Sequence, residues 1–239
     1  MMKQTIKKCI HSLGWNISRF TEADRNRLEW LKKMDIRTIL DIGANRGQFA
    51  CSIHEVLPGA TLHSFEPLND CFLELQARTH HIEGMKYYNC ALGEEEKTVF
   101  INRNEFSPSS SFLLPTDDMR RIFPYTAKTQ REEVRQCSLD GILENTLLER
   151  NVLIKIDVQG YEQAVIAGGR KTIGEAAAII VETSIAGLYE GQPLFEDIFL
   201  VLRELGFSYS GNLEQMRSPK DGSILEVDAI FINNGITLK

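Results

Sequence analysis

Short apolar runs alternate along the chain with stretches of helical periodicity. Residues 38–42 predict a strand that ends in Asp-Ile-Gly. Phe49, Ala50, Ile53, Val56 and Leu57 then fall on one helix face, and Pro58-Gly59 ends that helix. Residues 61–66 predict a second strand stopped by Pro67, followed by a helix marked by Leu68, Phe72 and Leu75. Further strands are expected at residues 86–91, 152–157 and 177–182. A helix over residues 161–167 stops at Gly168-Gly169, and an apolar helix over residues 194–205 is capped by Gly206. Strands near residues 207–210 and 224–232 close the chain as a hairpin, with Asp221-Gly222 as its turn.

Strand-helix-strand alternation predicts an α/β fold whose mostly parallel sheet is covered by helices on both faces. The continuous apolar runs at residues 152–156 and 177–181 suit central strands buried on both sides. Between the third and fourth strands the pattern breaks. Residues 97–103 and 133–139 alternate like β-strands and flank a loop-like stretch at 104–130 that holds Ser109-Ser110-Ser111. Such a stretch inside a compact domain is usually a lid, a binding loop or a disordered segment. One domain is therefore expected over residues 36–239, with a substrate-side insertion at about residues 97–138, preceded by a helical extension over residues 1–35.

Charge changes this picture at the N-terminus only. Residues 1–37 carry a net charge of +5 and the remainder −11, so the whole chain is acidic at −6. An acidic molecule is not built to neutralise phosphates, and no nucleic-acid partner is expected. Ile6, Ile10, Leu13 and Ile17 recur at helical spacing with lysines between them. Two readings stay open for that helix: contact with an anionic membrane surface, or packing on its own domain or on the twin subunit of a homodimer. Five cysteines without a C-x-x-C pair argue against a disulfide framework and a structural zinc site. With no secretory signal pattern, the expected location is the cytoplasm.

The chemistry concentrates in the first strand-turn-helix, Asp41-Ile42-Gly43-Ala44-Asn45-Arg46-Gly47. Gly43 permits a sharp turn and Gly47 a close helix approach, at a strand end where open α/β sheets bind ligands. Glu66 ends the next strand, 19 residues after Gly47, where a carboxylate can accept from ribose hydroxyls. A dinucleotide would set a pyrophosphate on the turn, but Asp41 would repel it. The same carboxylate suits the ammonium of a methionine moiety, which favours S-adenosylmethionine over a nicotinamide dinucleotide. Asp41 as a mere helix cap is the competing structural reading.

Asp41–Gly47, Phe65-Glu66-Pro67, Ala91-Leu92-Gly93, Ser109-Ser110-Ser111, Lys155-Ile156-Asp157-Val158-Gln159-Gly160-Tyr161-Glu162 and Glu182-Thr183 together resemble the FkbM family of S-adenosylmethionine-dependent methyltransferases. The resemblance runs from about Thr38 to Asn233. It implies a Rossmann-like class I methyltransferase fold, with a seven-stranded sheet whose last strand is antiparallel, and O-methylation of hydroxyls, very often on sugars of polysaccharides or glycolipids. By position it implies that Asp41, Gly43, Ala44, Asn45 and Gly47 line the methionine end and that Glu66 and Pro67 meet the ribose. Cys90 and Ala91 would border the adenine, and Asp157 and Glu162 would lie at the methyl-transfer side.

Methyl transfer is an in-line displacement at a sulfonium carbon, so the protein has mainly to align an acceptor oxygen and remove its proton. None of the five histidines falls on a strand-end loop facing the cofactor. Asp157 ends the fourth strand on the same sheet edge as Gly43 and is the candidate base, with Glu162 in support. A purely loop-shaping role for both carboxylates stays open. So does a divalent cation held by Asp157 and Glu182, although Gln159-Gly160 replaces the lysine that such metal enzymes carry, and no metal is expected. On the acceptor side Ser110, Ser111, Tyr161, Glu182 and Tyr189 offer hydroxyls, a carboxylate and aromatic faces suited to a glycan or another hydroxyl-bearing small molecule. Lys155, inside a buried run, reads as a tied structural ammonium. A nicotinamide oxidoreductase and a non-catalytic adenosine-binding scaffold are the rival functions.

Overall fold

The structure, a computed structural model, describes residues 26–235. The amphipathic pattern at Ile6, Ile10, Leu13 and Ile17, and with it the membrane and dimer readings, lies outside the described residues. Among those described, no helix is long and apolar enough to cross a membrane.

Strands β1 (Thr38–Ile42), β2 (Thr61–Phe65), β3 (Lys86–Tyr88), β7 (Val152–Ile156), β8 (Ala178–Ser184), β9 (Phe207–Arg217) and β10 (Ile224–Asn233) form one seven-stranded sheet in the order β3-β2-β1-β7-β8-β10-β9. The first five are mutually parallel, and β10 runs antiparallel to both its neighbours. This is the expected class I methyltransferase arrangement. The order reverses between β1 and β7, so the crevice above them is a topological switch point.

Both faces of the sheet are covered, as the unbroken apolar runs require. On one face Leu40, Ile42, Ile154, Ile156, Ile179 and Val181 pack under helices α5 (Glu162–Gly168) and α7 (Phe195–Glu204) through Val165, Ile166, Ile198 and Leu202. On the other, Ile39, Leu153 and Ile180 meet Leu31 and Met34 of a 3-10 turn and Ala50, Ile53 and Val56 of α1 (Gln48–Val56). Burying each such side chain contributes about 1.5–3 kcal/mol. An exposed pair such as Arg121–Asp118 contributes under about 1 kcal/mol. The aliphatic layers therefore carry the fold.

Four expected elements differ. The third strand splits: β3 ends at Tyr88, and β4 (Ala91–Leu92) leaves to join a separate three-stranded sheet with β5 (Lys97–Asn104) and β6 (Thr129–Cys137) in the order β4-β6-β5. The strand expected at residues 133–139 begins at Thr129 and ends at Cys137, because Ser138 caps a helical turn, α4 (Leu139–Ile142). The stretch read as loop contains α3 (Asp117–Ile122), whose Thr116 hydroxyl accepts from Met119 N at 3.2 Å. The small sheet and α3 make the insertion a folded cover. At the far edge β9 is longer than its apolar residues suggested, since residues beyond 210 are held by the backbone ladder to β10 and not by a buried face. Helix α2 (Asn69–Thr79) connects β2 to β3.

Candidate active site

The turn after β1 forces two strand ends together. Gly43 sits at φ 82°, and a Cβ there would lie 1.8 Å from the carbonyl oxygen of Asp157, closer than any side chain can approach. Asp157 N in turn donates to Ile42 O at 3.0 Å. Glycine at this position thus brings the β7 loop against the first turn. Gly47, at φ 81°, makes the expected close helix approach: its Cβ would meet Leu75 Cδ1 of α2 at 2.9 Å.

Asp41 lies in one row with Ser64 of β2 and Lys155 of β7. It is buried, and its Oδ2 accepts from Ser64 Oγ at 3.2 Å. Burial pushes its pKa up to about 7, with Ser64 and Lys155 opposing. Glu66, also buried, accepts from Asn45 N and Leu68 N at 2.9 Å each, so it binds the first turn to the second. Burial raises its pKa to about 7 despite those two bonds. A carboxylate offers about four acceptor positions, and two remain for a ribose diol. Asn89 Nδ2 donates to Glu66 O at 2.9 Å and to Pro67 O at 3.1 Å, fixing the border of the same crevice. Ala44 and Ala91 are buried beside these turns. Cys90 is a core side chain, its thiol pushed up to about 12 by burial and by Cys137, so only its backbone can face a ligand.

This donor set fits S-adenosylmethionine. Asp41 and Glu66 are anionic acceptors whose burial costs are relieved by a cation and by hydroxyl donors. The one arginine of the turn, Arg46, is paired with Glu74 on α2 and braces Ser107 at 3.5 Å. Of the described histidines, His63 is engaged with Tyr88 at 3.0 Å, its pKa lowered to about 4 by burial, and none belongs to these strand-end turns.

The second half of the site gathers carboxylates around one ammonium. Lys155 Nζ is buried between Asp157 Oδ2 at 3.4 Å and Asp228 Oδ1 of β10 at 2.8 Å. Burial would lower its pKa, but Asp157, Asp228 and Glu182 outweigh that and hold the ammonium charged. Burial likewise pushes Asp157 up, yet Lys155 and bonds from Glu182 and Gln159 bring it below the ordinary carboxylate range. Glu182 goes the other way, raised well above its usual range by burial and by Asp157 and Glu226. Of Asp157 and Glu182, Asp157 is thus the carboxylate held ionised. Asp228 and Glu226 were not foreseen. The available signal was a pair of acidic residues at alternate positions of an otherwise apolar last strand.

The remaining candidates divide. Glu162 is buried beneath the loop, its Oε1 accepting from Gly160 N at 3.0 Å and Val158 N at 3.3 Å, bonds that shape the loop. Burial raises its pKa to about 7. Ser110 and Ser111 are not free acceptor-facing hydroxyls: Ser110 Oγ accepts from Asn104 N at 3.0 Å, and Ser111 Oγ donates to Gln159 O at 2.6 Å. The insertion uses them to hold itself down. Tyr189 is buried, with its hydroxyl on Gln159 Oε1 at 3.0 Å. Tyr161 is half-buried and packs on Phe112 with ring centres 4.7 Å apart. Among the described residues no group of three or more His, Cys, Asp or Glu side chains is arranged to hold a metal ion.

Residues 41–209 match the family described as the Methyltransferase FkbM domain. The chain is 29% identical over 184 residues to the 2-O-methyltransferase NoeI of Sinorhizobium fredii (strain NBRC 101917 / NGR234), covering 72% of each chain. It is 24% identical over 202 residues to the 31-O-demethyl-FK506 methyltransferase FkbM of Streptomyces tacrolimicus, covering 71% of this chain and 72% of that one. Among solved structures, magnesium protoporphyrin IX methyltransferase from Synechocystis PCC 6803 with bound S-adenosylmethionine superposes with a TM-score of 0.48 at 11% identity, over 89% of this chain and 78% of that one. The nicotinamide and scaffold alternatives fall away, and S-adenosylmethionine is the cofactor. The chain belongs to the FkbM family of S-adenosylmethionine-dependent methyltransferases.

Proposed function

We propose that this S-adenosylmethionine-dependent O-methyltransferase acts on a ring hydroxyl of a sugar and that Asp157 receives the hydroxyl proton. The observation that carries the reading is the position of Asp157: an ionised, partly exposed carboxylate whose backbone touches the glycine turn of the cofactor half. When bound, the methyl donor supplies an activated carbon on a good leaving group. The chain has then to align the acceptor oxygen and take its proton. A weak base suffices, because the acceptor oxygen becomes strongly acidic as its new bond to carbon forms. Lys155 keeps Asp157 ionised for that task, and Glu162 fixes the loop that presents it.

Support for a sugar comes from the surroundings. The half-buried rings of Tyr161 and Phe112 lie beside the Asp157 loop, with Gln136 bonded to the Tyr161 hydroxyl at 3.3 Å. Aromatic faces next to amide and carboxylate groups match a ring with an apolar face and several hydroxyls. The relatives NoeI and FkbM are each named for the oxygen that they methylate.

The test is incubation with methyl-labelled S-adenosylmethionine and a panel of methyl glycosides and aliphatic alcohols, read by mass spectrometry. A labelled ether on a glycoside hydroxyl, lost in Asp157→Asn, is expected. Label only on non-sugar alcohols, or on nitrogen, would overturn the assignment of acceptor.

A further inference from the structure

Gln159 is the most heavily engaged side chain at the site, and no catalytic step above uses it. Its backbone lies at φ 55°, in the left-handed region, where a residue other than glycine is strained. It is buried, and its hydrogen-bonding groups are taken up. Nε2 donates to Asp157 Oδ1 at 3.1 Å and to Glu182 Oε2. Oε1 accepts from Tyr189 Oη at 3.0 Å, and the main-chain oxygen accepts from Ser111 Oγ at 2.6 Å.

We propose that Gln159 is a positioning residue for methyl transfer, a clasp that fixes the plane of the Asp157 carboxylate and makes that orientation depend on the docked insertion and on the loop after β8. The proposal rests on Asp157 as the proton acceptor. Three observations argue for it. First, a primary amide carries two N–H donors, so it can hold two carboxylates side by side without adding charge. A third carboxylate there would repel both, and a shorter Asn would not reach both. Second, Lys155 on one Asp157 oxygen and Gln159 on the other leave the carboxylate little freedom to rotate. Third, the far end of the same amide is bonded to Tyr189, whose single hydroxyl proton is shared between Gln159 Oε1 at 3.0 Å and Ser109 O of the insertion at 3.3 Å. The charged and titratable groups around the clasp are Lys155 on β7, Asp157 just beyond it, Glu182 on β8, Asp228 and Glu226 on β10, and Tyr189. An amide in this strained conformation holds the base and the cover in one network.

Gln159→Gly and Gln159→Glu test the idea. Gly relieves the backbone strain, which offsets part of the stability lost with the clasp. For a glycoside that the wild-type enzyme methylates, kcat should fall about 10- to 100-fold, with affinity for S-adenosylhomocysteine within about threefold of wild type. Glu donates only when protonated, so its kcat–pH profile should acquire a falling limb at high pH. A second readout needs no acceptor: hydrogen exchange in residues 107–114 and 186–192 should quicken in Gln159→Gly, while residues 41–47 stay as in wild type. Wild-type kcat in the Gly variant, an unaltered pH profile in the Glu variant, or unchanged exchange would overturn the proposal. If the wild-type protein methylates no alcohol at all, the acceptor reading fails by itself, and the exchange measurement still decides the clasp.

Discussion

The two halves of the crevice handle their carboxylates in opposite ways. On the β1–β2 side, Asp41 and Glu66 are each buried, bonded by neutral donors and raised to about 7. On the β7–β8–β10 side, Lys155 supplies a resident cation, and Asp157 is drawn below its usual range. The first half is short of positive charge. The second carries its own. On the proposed reading, a cationic ligand tail would gain most in the first half, and the ionised carboxylate proposed as the base stands in the second. One sheet edge would then, on that reading, bind the methyl donor and prepare the acceptor by the same rule, a carboxylate and the partner it is given.

The largest effect that separates the halves is expected from Asp157→Asn. Turnover should fall roughly 10²- to 10⁴-fold, with S-adenosylhomocysteine affinity changed only a few-fold, as read by steady-state kinetics and calorimetry. Equal loss of binding and turnover would merge the halves. Gly43→Ala attacks the seam between them. The added methyl meets the Asp157 carbonyl in a backbone conformation that alanine resists, so stability should drop by at least about 2 kcal/mol in urea unfolding.

A third expectation concerns pH. Asp41, Glu66 and Glu162 keep their protons to about 7, and Glu226 to about 8. The unfolded chain releases them near 4–4.5. Between those values the folded state binds more protons, so its stability falls as pH rises. Thermal unfolding of the ligand-free protein should therefore occur at higher temperature at pH 5 than at pH 8, and S-adenosylhomocysteine should narrow the gap. The smallest effect is expected from Ser64→Ala, which removes one bond to Asp41 at a cost of about 1 kcal/mol. The loss should be visible in stability and absent from the acceptor KM.

The cofactor half was readable because its parts are local. Asp41, Gly43, Gly47 and Glu66 lie within one strand-helix-strand unit, and each glycine marks a turn or a close approach. The acceptor half is assembled over distance. Lys155 meets Asp228, 73 residues away, and Ser111 meets Gln159, 48 residues away. Periodicity cannot pair such positions. It also misjudged the insertion: α3 is too short to show a helical repeat, and Ser110 and Ser111, offered by the sequence as acceptor-side hydroxyls, are buried anchors. Asp157 stood out because it ends a strand, whereas Gln159, two residues on, takes its meaning from partners on three other segments.

We propose that Asp41 is kept for a cationic amino-acid tail. Calorimetric titration of S-adenosylhomocysteine at pH 6 and pH 8 tests it most directly. A carboxyl with a pKa of about 7 that must ionise to bind should make affinity about tenfold tighter at pH 8, and Asp41→Asn should flatten that dependence. Affinity that is equal at both pH values in the wild-type protein, or a slope that survives in Asp41→Asn, would contradict it.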